Sequence, residues 1–163
     1  MLVASLALVA IAIPALAAEQ HLSEIDRDLP DFELASLDGE SWNVDALAGK
    51  PWIINFWASW CAPCVEEMPA MNRAWADVQD DGIGMLAINA GESVVAIKTF
   101  LDKIPVDFEI LLGDGQTLPE WTVRALPTTV VVDSSGKVVF EALGPREWDD
   151  PALLDRVRAL VPN

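Results

Sequence analysis

The stretch "NFWASWCAPCVEEMP", residues 55–69, contains both cysteines of the 163-residue chain, Cys61 and Cys64. A structural crosslink is the weakest explanation of the pair, because closing a loop of about four residues removes little entropy from the unfolded chain. A structural zinc site needs four ligands, and the only histidine, His21, lies near the N-terminus. The lack of a nearby histidine also disfavours a Cys–His nucleophilic dyad. Thiol–disulfide exchange and two-coordinate copper(I) binding are left as uses of the pair.

The residues around the pair predict a strand followed by a helix. "PWIINFW", residues 51–57, is a continuous apolar run of the kind found in a central strand buried on both faces. After the cysteines, apolar residues recur at helical spacing to about residue 79, at Val65, Met68, Met71, Trp75 and Val78. Pro69 lies inside this helix and is expected to kink it.

This placement favours redox chemistry over metal binding. Cys61 is expected at the helix N-terminus, where free N–H groups and the helix dipole stabilise a thiolate. Cys64, one turn further on, is then placed to attack a mixed disulfide formed on Cys61. Glu66 and Glu67 are interpreted as first-turn acids on a solvated helix face. Of the tryptophans, Trp60 is expected to flank the thiols, whereas Trp52, Trp57 and Trp75 are expected in the core.

Composition limits the partners. The chain has 26 acidic and 10 basic residues, a formal net charge of −16. Such a surface repels phosphate backbones and anionic lipid, so nucleic-acid binding is disfavoured. A hydrophobic fraction of 52% excludes a disordered chain, and the length fits one domain.

The N-terminus predicts export. "MLVASLALVAIAIPALAA", residues 1–18, is apolar up to the first charged residue, Glu19. Ala15-Leu16-Ala17 fits a signal-peptidase site, which predicts a signal peptide over 1–17 and a mature N-terminus at Ala18. No basic residue follows Met1, so a retained membrane anchor is the alternative. Both interpretations place the domain in the periplasm or elsewhere outside the cytoplasm. Residues 18–30 are predicted to be a linker, and residues 31–163 the folded domain.

The rest of the pattern predicts an α/β fold with a mixed central sheet flanked by helices. "GMLAIN" (84–89) and "FEILL" (108–112) have strand character, and Val94, Ile97, Leu101 and Ile104 mark an amphipathic helix between them. "TTVVVD" and "KVVFEA" flank "SSG" and predict a hairpin. Asp150-Pro151 is expected to open a last helix.

These motifs resemble the thioredoxin-like family, specifically its exported TlpA/ResA/DsbE branch, over about residues 30–163. "FWASWCAPC" (56–64) is similar to the thioredoxin active-site segment, and Pro69 matches the proline of its helix. "ALPTTVVVD" (125–133) is similar to the loop that carries a cis-proline, here Pro127. The extra helix and strand between about 93 and 112 resemble the insertion that separates this branch from plain thioredoxins.

The resemblance implies roles for further residues. Leu126 and Pro127 would offer backbone groups to a substrate peptide. Thioredoxins carry a buried aspartate, a proton acceptor, at the position of Asn55, and an asparagine cannot accept a proton. The branch instead has a glutamate after the next strand, and "INAGES" (88–93) supplies Glu92 there. Without the resemblance, Glu92 is interpreted as an exposed acid before a helix.

The resulting expectation is a monomeric thiol–disulfide oxidoreductase that needs no cofactor. Cys61 would attack a substrate disulfide, Cys64 would resolve the mixed disulfide, and Glu92 would relay the proton. The resemblance implies a reductant in cytochrome c maturation, with apocytochrome c as substrate and a membrane thiol electron donor. The alternative is a copper(I) chaperone that uses Cys61 and Cys64. Its nearest third donor would be Met68, which helical spacing places in the core.

Overall fold

The computed structural model describes residues 22–162, and the predicted signal peptide over 1–17 lies outside them. Within that range there are eight strands: β1 Ser23–Asp28, β2 Glu33–Ser36, β3 Ser41–Asn43, β4 Trp52–Trp57, β5 Gly84–Asn89, β6 Glu109–Leu112, β7 Thr128–Val132 and β8 Lys137–Leu143. Four helices accompany them: α1 Ala62–Val78, α2 Val94–Leu101, α3 Thr117–Glu120 and α4 Pro151–Arg158. A 3₁₀ turn, Val44–Leu47, follows β3.

The strands form one mixed sheet in the order β1-β8-β7-β4-β5-β6-β2-β3. The neighbours β4, β5 and β6 are parallel, and β7 pairs antiparallel with β4. Every residue of β4 and β5 is buried, as their continuous apolar runs predicted. The predicted fold class is therefore confirmed, including the hairpin of β7 and β8 and the inserted α2 and β6.

Two apolar layers cover the sheet, and alternation along β4 decides which side chain enters which layer. Ile53 and Trp57 face the layer that contains α1, α2 and α4, whereas Ile54 and Phe56 face the layer with Leu47 and Trp121. Asn55 lies between Ile53 and Trp57 in the sequence and so points toward α1. A polar side chain is thereby placed beneath the helix that follows the cysteines.

The structure corrects the linker prediction. Residues 23–28 are a strand, β1, which pairs antiparallel with β8 at one edge of the sheet. Its sequence, SEIDRD, lacks an apolar alternation because an edge strand keeps most of its side chains in solvent. The short helix α3 was not predicted either. Within residues 22–162 no helix combines the length and apolar character that a bilayer-spanning segment requires.

Candidate active site

Cys61 and Cys64 lie at the start of α1, shortly after the end of β4, and they form a disulfide with a Cα–Cα distance of 5.3 Å. Cys61 is the N-cap residue of α1, and its Sγ accepts a hydrogen bond from the backbone N–H of Cys64 at 3.3 Å. Pro63 occupies the first turn, where its missing N–H has no intrahelical partner to lose. Cys64 is fully buried and Cys61 is 6% exposed, so only Cys61 reaches the surface.

An apolar groove of about 410 Å³ opens beside Cys61. This Cys61 groove is lined by Trp60, Cys61, Pro63, Leu118, Val123, Arg124, Ala125 and Leu126. Trp60 lines the groove together with Cys61 and so flanks the thiols as expected. It is 71% exposed, which is unusual for an indole. The peptide bond between Leu126 and Pro127 is cis, as the resemblance implied. The fold thus brings Trp60, Cys61 and Leu126 to one opening, with buried Pro127 next in the chain.

Glu92 holds the loop that leads into Cys61. Its Oε2 accepts hydrogen bonds from the backbone N–H of Ser59 at 2.7 Å and from Nδ2 of Asn89 at 2.8 Å, and Oε1 accepts from the Ser59 hydroxyl at 2.5 Å. Asn89 is itself fixed, because its backbone oxygen accepts from Gly113 at 3.1 Å. A Cβ at Gly113 would lie 2.1 Å from that oxygen, so this approach requires glycine.

Glu67 was interpreted from the sequence as an acid on a solvated helix face, and the structure shows that this interpretation is wrong. It is 3% exposed, not on a solvated face. Oε1 accepts a hydrogen bond from Nδ2 of Asn55 at 2.8 Å, and Oε2 accepts from the backbone N–H of Arg146 at 3.1 Å. Since residues three apart on a helix share a face, Glu67 lies one turn beyond Cys64 on the buried side of α1.

Comparisons with known proteins agree with this geometry. The family model described as "AhpC/TSA family" matches residues 25–141. The thiol-disulfide oxidoreductase ResA of Bacillus subtilis (strain 168) is 36% identical over 129 residues, which cover 78% of this chain and 72% of ResA. The chain belongs to the AhpC/TSA family.

Solved structures place this AhpC/TSA protein among thioredoxin-like folds. A protein from Chlorobium tepidum, described as a thiol:disulfide interchange protein DsbE, superposes with a TM-score of 0.76 at 29% identity, over 87% of this chain and 100% of that one. A secreted Mycobacterium tuberculosis disulfide oxidoreductase, described as homologous to E. coli DsbE, gives a TM-score of 0.67 at 25% identity, over 79% and 96% of the two chains. The protein is a thiol–disulfide oxidoreductase of the ResA/DsbE type, with Cys61 and Cys64 as its redox pair.

The pKa values of Glu67 and Glu92 are shifted in opposite directions. Burial raises the pKa of Glu67 to about 7, although the hydrogen bonds from Arg146 and Asn55 act in the other direction. For Glu92, partial burial opposes ionisation, but the hydrogen bonds from Asn89 and Ser59 prevail and lower its pKa. Glu67 can therefore change protonation near neutral pH, whereas Glu92 remains charged.

The sequence did contain a signal for Glu67. It lies three residues after Cys64 and four before Met71, so it falls inside the apolar stripe of α1 and not beside it. An acid within such a stripe is buried with it, and a buried acid needs hydrogen-bond donors. The donor from Arg146, 79 residues away, could not be read from the local sequence.

The described residues offer few additional metal ligands near Cys61 and Cys64. Within residues 22–162 no group of three or more histidine, cysteine or acidic side chains could hold a metal ion. Met68, the nearest third donor for copper(I), is fully buried in the core, as its spacing predicted. The copper(I) alternative stays a prediction that rests on the two cysteines alone.

Proposed function

We propose that this protein reduces disulfides of other proteins outside the cytoplasm, as a monomer. The observation that carries the proposal is the unequal placement of the two sulfurs. Cys61 lines an apolar groove of about 410 Å³, whereas Cys64 is fully buried one helical turn before the buried Glu67. A substrate can therefore reach the sulfur of Cys61, whereas the sulfur of Cys64 can be reached only by that of Cys61.

The reaction then proceeds in two exchanges. The Cys61 thiolate attacks one sulfur of the substrate disulfide, and the other substrate sulfur leaves as a thiolate that takes a proton from water. Cys64 loses its proton and attacks Sγ of Cys61, which releases the second substrate sulfur. The substrate gains two electrons and ends as two thiols, and Cys61 and Cys64 end as the disulfide.

Glu67 is the group that we assign as base for Cys64. It lies one turn from Cys64 on the buried side of α1, and its pKa near 7 allows it to accept a proton at neutral pH and release it again. Glu92, which the resemblance implied as proton relay, has its oxygens engaged with Ser59 and Asn89. Its geometry favours a positioning role for the loop before Cys61.

The proposed substrate is apocytochrome c, reduced before haem attachment, and the proposed electron source is a membrane thiol donor. The resemblance to the TlpA/ResA/DsbE branch supports both. Location outside the cytoplasm is supported by the predicted leader and by the Mycobacterium tuberculosis relative, whose description calls it secreted. Intact-mass analysis of the exported protein tests the leader: a mature N-terminus at Ala18 supports cleavage, and residues 1–17 retained in the membrane fraction support the anchor.

A trapping experiment tests the function. In a Cys64→Ser variant the mixed disulfide on Cys61 cannot be resolved, so substrates remain attached and can be identified by mass spectrometry. Capture of c-type apocytochromes supports the proposal, and a Cys61→Ser/Cys64→Ser variant is the matched control. Failure of the unmodified protein to reduce insulin with dithiothreitol, together with tight copper(I) binding in a competition assay, would favour the chaperone instead.

A further inference from the structure

A second opening in the surface reaches Glu67. This Glu67 cavity has a volume of about 160 Å³ and is lined by Glu66, Glu67, Pro145, Arg146 and Glu147. It shares no lining residue with the Cys61 groove. The Glu67 cavity lies between the second turn of α1 and the segment after β8. The Cys61 groove lies between the start of α1, with the loop before it, and residues 118–126.

The two oxygens of Glu67 face different surroundings. Oε1 is bonded to Asn55, which is fully buried on β4 and also donates to the Thr129 hydroxyl at 2.9 Å. Oε2 is bonded to the N–H of Arg146, which belongs to the cavity wall. The carboxyl group thus spans the wall between the interior under Cys64 and the Glu67 cavity.

The segment that forms the cavity wall is held in place. The N–H of Gly144 donates to the backbone oxygen of Pro127 at 2.9 Å, and Nη1 of Arg146 donates to the carbonyls of Gly144 at 3.2 Å and Pro145 at 2.8 Å. Glu66 and Glu147 are exposed at the cavity, and with the Arg146 guanidinium they are the charged groups around Glu67 there. From the strands, Glu67 meets the uncharged Asn55.

The order of the two exchanges explains why a second opening would be needed. Cys64 loses its proton while the substrate is still bonded to Cys61 and occupies the Cys61 groove. A proton held by Glu67 at that moment needs a path to water that the substrate does not cover. We propose that this proton leaves through the Glu67 cavity and not through the Cys61 groove, with the Arg146 N–H as the positioning donor of that path. The inference rests on the proposed function, because it assigns a route to the proton of the resolving step.

The route can be tested by covering each opening separately. Cys61 of the Cys64→Ser variant is coupled to a peptide through an activated disulfide, which fills the Cys61 groove without depending on turnover. The Glu67 carboxyl carbon is followed by NMR through a pH titration, with Glu67→Gln to assign its signal. We expect Glu67 in the peptide-bearing protein to titrate in fast exchange, with a midpoint within about one pH unit of that in the peptide-free protein.

A second variant covers the other opening. Glu66→Trp fills the mouth of the Glu67 cavity, and Glu66→Gln removes the same charge but leaves the cavity open. In the peptide-bearing protein we expect fast exchange to be lost with Glu66→Trp and kept with Glu66→Gln.

Three results would overturn the proposal: loss of the titration when the peptide alone is attached, unchanged fast exchange in Glu66→Trp, or equal slowing in Glu66→Gln. The first result does not require the Glu66 variants to fold. Insulin reduction by the unmodified protein tests the proposed function separately, so failure of the route and failure of the function give different results.

Discussion

The amide of Asn55 donates a hydrogen bond of 2.8 Å to the carboxylate of Glu67, and both side chains are buried. In thioredoxins, to which the active-site segment is similar, the acid itself stands at the position of Asn55. Here the strand supplies the amide and the helix supplies the acid. A buried acid is thus present in both arrangements, but here it is carried by α1 instead of β4, where we propose that it serves as the base for Cys64.

The raised pKa of Glu67 predicts that the protein loses stability as pH rises. The folded state holds the Glu67 proton up to about pH 7, whereas the unfolded chain releases it near the ordinary glutamate pKa of 4.5. The contribution of Glu67 to the free energy of unfolding should therefore fall by about 3 kcal/mol between these pH values and level off above pH 7. Glu67→Gln should remove that dependence, measured by urea unfolding at pH 5 and pH 8. Glu66→Gln, at an exposed position, is the control that should keep it.

Exchanging the acid and the amide should preserve function. Glu67→Gln alone should slow the resolving step at neutral pH, because Cys64 loses its base, by on the order of a hundredfold. The double variant Asn55→Asp/Glu67→Gln returns an acid to the interior and should recover most of that rate in stopped-flow measurements. Asn55→Asp alone places two carboxyl groups at hydrogen-bond distance, so one of them should stay protonated above pH 7. A double variant as slow as Glu67→Gln would contradict the assignment of the base.

Cys61 should react with alkylating agents before Cys64. Its sulfur lies at the N-terminus of α1 and on the Cys61 groove, whereas Cys64 is fully buried. In the reduced protein we expect iodoacetamide to label Cys61 at least about tenfold faster, as read by peptide mass mapping. Faster labelling of Cys64 would reverse the two roles and remove the basis of the mechanism.

Glu92→Gln should slow disulfide exchange and alter the thiol titration while the fold stays intact. A carboxylate that holds Ser59 in place predicts a rate lower by on the order of tenfold, with the same number of inflections in the pH–rate profile and only the thiol inflection displaced. A proton relay predicts instead that one inflection of the pH–rate profile disappears. Ser59→Ala, which removes only the hydroxyl donor, should show a smaller form of the same loss. Unchanged kinetics and titration in both variants would return Glu92 to the role of a surface acid.

The surroundings of Cys61 predict a reducing potential. A strong oxidant stabilises its reduced form by a strongly lowered thiol pKa. Here Ala62 and Pro63 between the cysteines add no charge or donor. The ionised Glu92 is hydrogen-bonded to Ser59, two residues before Cys61, and we expect its charge to oppose thiolate formation. We expect a potential at or below about −220 mV by equilibration with a reference dithiol, followed by tryptophan fluorescence. A value more oxidising than about −180 mV would exclude the reductant assignment.

Much of the fold could be predicted because its central elements have strong patterns. β4 and β5 are continuous apolar runs, and the stripe of α1 follows helical spacing through Pro69. β1 could not be recognised, because an edge strand with polar side chains has the composition of a linker. The cysteines were identified from their spacing, whereas the burial of Glu67 depends on the distant Arg146 segment folding against α1. Local sequence patterns predict helices and strands well, but they do not show which distant backbone groups will form hydrogen bonds with a given side chain.

The charged edge strand β1 also bears on how the protein meets its substrates. Four of its six residues are charged, and Lys137 of β8 pairs with Asp26 and Asp28 at 3.3 and 2.8 Å. The opposite edge, β3, is only three residues long. Reduced, unfolded polypeptides readily extend any open sheet edge by adding a strand, and charged or very short edges discourage this. If the protein reduces unfolded chains as we propose, these two edges should limit its coaggregation with them.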